Sequence, residues 1–582
     1  METFASSRKL NVVVVILVFS LVIVPHYRGL ASAGEAKVER LLEGLSLEEK
    51  IGQMIMARVL EGPDGKPSER TKQLIQQLNV GSLLFYSFKN PGFAARQTNQ
   101  MQKWAENASP DIPLLIGSDF EFGPKTNIYS GATSFPQQMG IGATGKPELA
   151  REAAAITAKE GRAMGIHWNF SPVADVNSNR DNPVIGVRSY GASSDEVSEF
   201  AEAAVRGYQD NGLIATPKHY PGHGDTSVDS HYDLPKVSFG REKLERHLAP
   251  FRAGINAGAD AIMTAHIIVE DIDPDLPATL SRKILTGLLR EDQGFEGVIV
   301  TDALNMEAIE ENFGKAEAAI RSVRAGSDVL MSAGNYWDVI EVHDGLVKAV
   351  KNGEITEERI DQSVRRILKL KIEYGLFSGT NRVDPEAASE IAGKPASRRF
   401  AEKLASEAIT LVKNEGGLVP LKDEASSVAL IGVKDSVKQL KNELEKSSPG
   451  LDLRVYRTPQ SSRYNSWSPS EAAIDRAVEV ATGADYVVLL TYSRGKIPRN
   501  QVKLVKDLLA ANENLVVVAE GLPYDIERFP EVPAYVATYA YNRWNSPAGG
   551  HDLMTEVTAK LLAGEIEPGG SLPVPVKPID GE

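Results

Sequence analysis

Between residues 36 and 380 short apolar runs alternate with longer amphipathic stretches, and no other feature restricts the choice of fold so strongly. Eight runs stand out, at Met54-Ile55-Met56, Ser82 to Phe85, Leu114-Leu115-Ile116, Trp168-Asn169-Phe170, Leu213-Ile214-Ala215, Ala261-Ile262-Met263, Val298-Ile299-Val300 and Val329-Leu330-Met331. The stretches between them, such as Pro147 to Met164 and Asp195 to Asp210, are rich in Ala and Glu and repeat apolar residues at three and four spacing, the mark of helices. Strands alternating with helices predict βα units and a parallel sheet. Eight such units close most naturally as a (β/α)8 TIM-type barrel, which commonly takes about 250 residues.

Polar residues fall where such a barrel carries its chemistry. Asp119, Asp175, Lys218, His219, His266 and Asp302 each follow a predicted strand, on the carboxyl face. The densest block is Lys218-His219-Tyr220-Pro221-Gly222-His223-Gly224-Asp225, followed by Asp229-Ser230-His231, which places three of the chain's nine histidines within thirteen positions. Buried histidines and carboxylates must be paired or hydrogen-bonded, and a loop broken by Pro221, Gly222 and Gly224 has no repetitive backbone to satisfy them. On an extended segment Asp229 and His231, two apart, project to the same side and form an orienter and acid/base pair. At Asp302 a hydrophobic strand, Gly297 to Thr301, runs into a carboxylate fixed at a rigid end. Its alternative role is the N-cap of the helix that follows. His266 reads equally well as a satisfied structural histidine and as a ligand-facing one.

A composition shift at Ser378 to Ala396 marks a linker, and a second α/β pattern follows. Val428 to Val433, Tyr486 to Leu490, Leu515 to Ala519 and Tyr535 to Tyr539 read as buried strands, with helices at Gln501 to Ala511 and Leu553 to Leu562. The expected organisation is residues 1–33 as a signal peptide, 36–380 as the barrel, 381–397 as linker and 398–582 as a smaller C-terminal α/β sandwich. The signal reading rests on Arg8-Lys9, the apolar run Leu10 to Val24 and the small residues Ala31-Ser32-Ala33-Gly34. That run is shorter than the roughly 20 residues that span a bilayer, so export is expected, with membrane attachment only if the signal stays uncleaved. A net charge of -14 argues against nucleic acid as partner. The absence of cysteine removes disulfides, a thiolate nucleophile and Cys-ligated zinc from consideration.

These blocks carry a resemblance. Ser171 to Asn177, Asn182 to Gly191, Lys218 to His231 and Thr301 to Met306, with Ala408 to Asn414, Leu418 to Leu421 and Pro568 to Pro573 further on, resemble glycoside hydrolase family 3 and in particular its bacterial two-domain β-N-acetylglucosaminidases, or β-hexosaminidases. The resemblance implies a retaining enzyme that removes terminal β-linked N-acetylglucosamine from peptidoglycan fragments or chitin-like glycosides. It implies that Asp302 is the nucleophile, that His231 paired with Asp229 is the general acid/base, and that Asp119, Arg188, Lys218 and His219 bind the sugar. His223 and Asp225 would brace the loop. No cofactor or metal is implied, although His223, Asp225 and His231 imitate a metal-ligand set.

One block departs from the family pattern: Asp119-Phe120-Glu121-Phe122-Gly123-Pro124-Lys125 has Phe122 where the glucosaminidases usually have a glycine and lacks the arginine that usually follows. Lys125 offers a charge without the planar fork that holds two oxygens. A family 3 β-glucosidase is therefore an alternative, with Glu520 of the second domain as its acid, and so is a β-N-acetylglucosaminide phosphorylase. A noncatalytic wall-binding scaffold is the reading from a different class.

Overall fold

The computed structural model describes residues 34–379, 381–422, 426–459, 467–540 and 553–577. The expected signal, residues 1–33, lies outside the described residues; among the described residues no helix is long and apolar enough to cross a membrane.

All eight apolar runs meet in one ring. The first part of the chain forms β1 (Ile55–Arg58), β2 (Ser82–Leu84), β3 (Leu115–Ser118), β4 (Trp168–Asn169), β5 (Lys236–Val237), β6 (Ala261–Met263), β7 (Ile268–Val269), β8 (Val298–Val300) and β9 (Leu330–Ser332). The order β4-β3-β2-β1-β9 is parallel throughout, and β6 pairs with β8 in parallel. Bridges from Trp168 to Ile214, Tyr220 to Thr264 and Val300 to Val329 close the gaps. Residues 214–220 thus take the fifth position, but as an irregular segment in place of the strand expected at Leu213 to Ala215. Pro217 has no N–H to give the ladder, nor has Pro172 on its neighbour. The β5 and β7 strands pair only with each other, off the ring. The strands are buried on both faces, as parallel strands wrapped in helices must be. Burying each Val, Leu or Ile contributes roughly 1.5–3 kcal/mol.

The stretch expected as a plain linker contains a helix, Pro385–Ile391, begun by the Asp384 side chain as cap with Pro385 in its first turn. Asn99 ties the adjoining backbone down, exchanging two hydrogen bonds with Val383 at 2.7 and 2.8 Å.

The second domain is a six-stranded sheet made of β10 (Thr410–Asn414), β11 (Ser427–Gly432), β12 (Asp452–Arg457), β13 (Tyr486–Thr491), β14 (Leu515–Ala519) and β15 (Ala534–Ala537), in the order β10-β15-β14-β13-β11-β12. Only β10 is antiparallel. Continuous apolar runs are divided between two cores by the two-residue period of a strand: Ala429, Ile431, Val487, Leu489 and Val517 face one, and Val428, Leu430, Val488, Leu490 and Val516 the other. The first core also takes in Met139, Ala143 and Val187 of the barrel, so the domains share apolar packing. At the seam Asn177 donates to Tyr524 Oη at 3.1 Å and the Arg180 guanidinium lies 4.6 Å from the Tyr524 ring centre.

Candidate active site

A cavity of about 330 Å³ opens at the carboxyl ends of the barrel strands. Nearly every strand sends a residue to it: Arg58 from β1, Tyr86 after β2, Asp119 after β3, Lys218 and His219 from segment 214–220, Met263 from β6, Asp302 after β8 and Met331 from β9. Glu121, Arg188, His223, Ser230, His231 and Asn305 complete the polar lining. Of the residues expected to act, Asp302, His231, Asp119, Arg188, Lys218 and His219 all line this one cavity, and Asp229 holds His231.

Asp302 follows a strand anchored on both sides. Thr301 N–H donates to Val329 O at 3.0 Å, and the Thr301 hydroxyl accepts Met331 N–H at 3.0 Å. The Asp302 carboxylate accepts the Ala303 N–H at 2.7 Å. It does not cap the following helix, Glu307–Phe313, which begins after Met306. Burial would raise the Asp302 carboxyl, but the imidazoles of His266, His219 and His231 and the Ala303 N–H outweigh it and lower its pKa to about 2. It is ionised at neutral pH. His266 proves to be structural: Nε2 donates to Ala303 O at 3.0 Å, and Nδ1 meets the Thr279 hydroxyl at 2.8 Å.

On the opposite wall four charges interlock. Lys218 Nζ lies 2.8 Å from both Asp119 Oδ1 and Glu121 Oε1, and Arg188 grips both oxygens of Glu121, at 3.0 and 2.7 Å. Burial alone would lower the pKa of Lys218, but Asp119 and Glu121 reverse this and raise it. Burial would likewise raise Glu121, yet Arg188 and Lys218 hold it well below the usual carboxylate range. His219 is fixed by Asp175, which is wholly buried and takes its Nδ1 at 2.7 Å and its backbone N–H at 3.2 Å, with the His223 N–H at 2.6 Å. Burial would raise Asp175 too, and His219 and His223 bring it below its ordinary value.

The His231 loop is built differently. Gly224 presses so closely on the barrel that a Cβ there would meet Val176 O at 1.8 Å. His223 does brace the loop, with Nδ1 on the Thr226 hydroxyl at 2.8 Å and Nε2 on that of Ser230 at 2.9 Å; burial lowers its pKa to about 4, so it is neutral. Asp225 turns to Ser178 and Lys243 at 3.0 and 2.6 Å, and the imitation of a metal site is dispersed among these partners. Asp229 and His231 do pair, Nδ1 to Oδ1 at 2.6 Å, but not on an extended segment. The Asp229 carboxylate also accepts His231 N–H at 3.0 Å, while its carbonyl accepts Tyr232 and Asp233 N–H at 3.0 and 3.2 Å. The side chain closes an Asx-type turn that bends the loop. With Nδ1 engaged, Nε2 is the nitrogen free to exchange a proton.

Glu121 and Asp175 escaped selection from the sequence as site residues. Asp175 had the strand-end signal but no visible partner, and Glu121 lies in the departing block whose meaning depends on Arg188 and Lys218 folding onto it. Lys125 is outside the cavity lining, so it does not stand in for the missing arginine. Glu520 is buried at the end of β14, accepts the Ser436 hydroxyl at 2.8 Å and does not line the cavity.

Residues 46–370 match the model of the glycosyl hydrolase family 3 N terminal domain, and residues 409–581 that of its C-terminal domain. The chain is 31% identical to β-hexosaminidase A of Pseudoalteromonas piscicida over 91% of its own length and 97% of that protein's. It is 30% identical to a β-N-acetylglucosaminidase/β-glucosidase of Cellulomonas fimi over 67% of its length and 69% of the relative's. Among solved structures, a glycoside hydrolase family 3 β-N-acetylglucosaminidase from Paenibacillus sp. str. FPU-7 superposes with a TM-score of 0.80 at 34% identity, covering 91% of this chain and 99% of that one. With its barrel, its second α/β domain and its cavity of interlocked carboxylates, the chain belongs to glycosyl hydrolase family 3, enzymes that act on O-glycosyl bonds of carbohydrates.

Proposed function

We propose that this glycoside hydrolase is a retaining β-N-acetylglucosaminidase in which Asp302 is the nucleophile and His231, oriented by Asp229, is the general acid/base. The observation that carries this is the meeting of an ionised carboxylate at a strand end with an aspartate-bound imidazole in one cavity. In the first step Asp302 attacks the anomeric carbon, the bond to the leaving oxygen breaks, and the His231 Nε2 proton passes to that oxygen. In the second, water attacks the same carbon, gives its proton back to His231 and releases Asp302. Asp229 steadies the imidazolium and fixes its tautomer. Asp119, Arg188, Lys218 and His219 bind the sugar through charge-assisted hydrogen bonds, with Lys218 and Arg188 held ready by Glu121.

The amino-sugar preference is supported by the β-hexosaminidase and β-N-acetylglucosaminidase relatives, by the Asp229–His231 pair, and by a Glu520 that is turned into the second domain. Peptidoglycan fragments or chitin-like glycosides are the substrates this preference suggests, and the amino-terminal pattern supports export to them. N-terminal sequencing of the protein from its host tests export, with a start at Gly34 expected.

The activity test uses residues 34–582 and matched aryl β-N-acetylglucosaminide and β-glucoside, each with and without phosphate. Preference for the acetamido sugar without phosphate stimulation is expected. Preference for glucose overturns the amino-sugar reading, and strong stimulation by phosphate makes the enzyme a phosphorylase.

A further inference from the structure

The cavity carries a cation that the proposed reaction does not use. On its deep wall Lys218, Asp119, Glu121 and Arg188 pair with one another, and each of these side chains is less than a fifth exposed. Arg58 stands apart from this set. It ends β1, is the one exposed residue of that strand, and lines the same cavity. Its guanidinium lies 5.5 Å from the centre of the Tyr86 ring, also in the lining, and among the described residues it makes no hydrogen bond or ion pair. Glu61 feels its charge without pairing with it.

Depth and position decide what can reach Arg58. At about 330 Å³ the cavity is at the small end of ligand sites, so the sugar held by the deep wall occupies it and the leaving group lies in the mouth. His231, which must touch the leaving oxygen, is more than half exposed there. β1 and segment 214–220, from which the His231 loop departs, stand opposite each other in the ring, four places apart by either route. A leaving group beside His231 therefore meets Arg58 across the mouth. A neutral one has no use for a fork of unengaged N–H donors, and an acidic one needs a cation to offset the ionised Asp302.

We propose that Arg58 is a specificity residue that receives a carboxylate on the leaving sugar, so that the enzyme favours N-acetylglucosamine linked to an acidic sugar, as in peptidoglycan fragments, over neutral chitin-like glycosides. This rests on the glucosaminidase reading with His231 as the acid/base. A planar guanidinium holds both oxygens of a carboxylate at once.

The test follows the full chain, Arg58→Ala and Arg58→Lys on three substrates. These are N-acetylglucosamine β-linked to N-acetylmuramic acid with its carboxylate free, the same disaccharide with that carboxylate converted to a methyl amide, and an aryl β-N-acetylglucosaminide. The parent should favour the acid over the amide by about tenfold in kcat/KM, the effect of one charge-assisted contact, and by less as salt is raised. Arg58→Ala should lose this preference, with a far smaller loss on the amide and the aryl glycoside, and Arg58→Lys should keep part of it. A parent indifferent to the amide, a preference that survives Arg58→Ala, or equal losses on acid and amide overturns the inference, while turnover of the aryl substrate leaves the glucosaminidase reading standing. Stimulation by inorganic phosphate that Arg58→Ala abolishes also overturns it, because the anion would then be the acceptor and not the leaving sugar. A parent that fails to turn over the aryl N-acetylglucosaminide overturns the underlying reading and this inference with it.

Discussion

The two halves of the catalytic machinery proposed above are made of contrasting material. Asp302 stands at the end of an inner barrel strand, its neighbours Thr301 and Ala303 bonded in place. His231 stands on a bent loop, with its side chain 54% exposed, beside Tyr232 and Val228, two of the few large apolar side chains left in solvent. The contrast matches the chemistry. The nucleophile must meet the anomeric carbon from a fixed direction, and misplacement by about 1 Å can cost a hundredfold. The acid/base must serve a departing aglycone and then an arriving water, and a loop at the mouth gives both a way in. Backbone hydrogen bonds at Thr301 and Ala303 hold the first half; a single short carboxylate contact and a turn hold the second.

The largest test of this contrast is Asp302→Ala, which should lower kcat by at least about a thousandfold on every substrate, because no second carboxylate can replace a fixed nucleophile. Steady-state rates check it, and a residual rate above a thousandth of the parent would move the nucleophile elsewhere. His231→Ala should lose about a hundredfold on poor leaving groups and far less on activated aryl glycosides, which need no protonation. A plot of rate against leaving-group acidity, steeper in the variant, is the expected outcome.

Lys218→Met sharpens the comparison from the rigid side. It leaves Asp119 and Glu121 facing each other without their shared cation, and breaking a buried pair in this way costs about 3–5 kcal/mol of stability. A urea unfolding curve should show that loss, whereas Asp229→Ala, on the exposed side, should barely move the midpoint. Asp175→Asn should lower kcat/KM about tenfold, since one buried carboxylate serves the backbone N–H groups of both His219 and His223 as well as the His219 ring.

The smallest expected effect lies in the second domain. Burial raises the Asp525 carboxyl to about 7, with the Ser493 hydroxyl pulling only weakly the other way. A carboxyl whose folded pKa is raised favours the fold fully below its unfolded value near 3.9 and loses that contribution as pH rises to about 7. Asp525→Asn should therefore gain thermal stability relative to the parent as pH rises from 4 to 7, then hold that gain constant. Melting temperatures across this range decide it.

The barrel was legible because a parallel strand buried on both faces is an unbroken apolar run and its helix an amphipathic one. Both are local patterns, and their eightfold count sets the closure. Asp302 was legible for the same reason, since the run that makes β8 ends on it. The Asp229–His231 pair was found by spacing, but the supposed extended backbone was wrong: the Asp229 side chain competes for the loop's own N–H groups and turns it. The edge strand β12 was not legible because Asp452 and Arg454 are exposed charges and Arg457 adds a third, which weakens the apolar signal.

The sequence by itself determined the order of elements, the division into barrel and second sheet, and which residues lie at strand ends, because these follow from periodicity along the chain. Only the tertiary structure decided which charges meet. Glu121 acquires its role from Arg188 and Lys218, 67 and 97 positions away, and Asp175 from a histidine 44 positions away. Glu520, equally well placed at a strand end, is spent on Ser436. The energy of a buried charge depends on what surrounds it in space, and no local pattern records that neighbourhood.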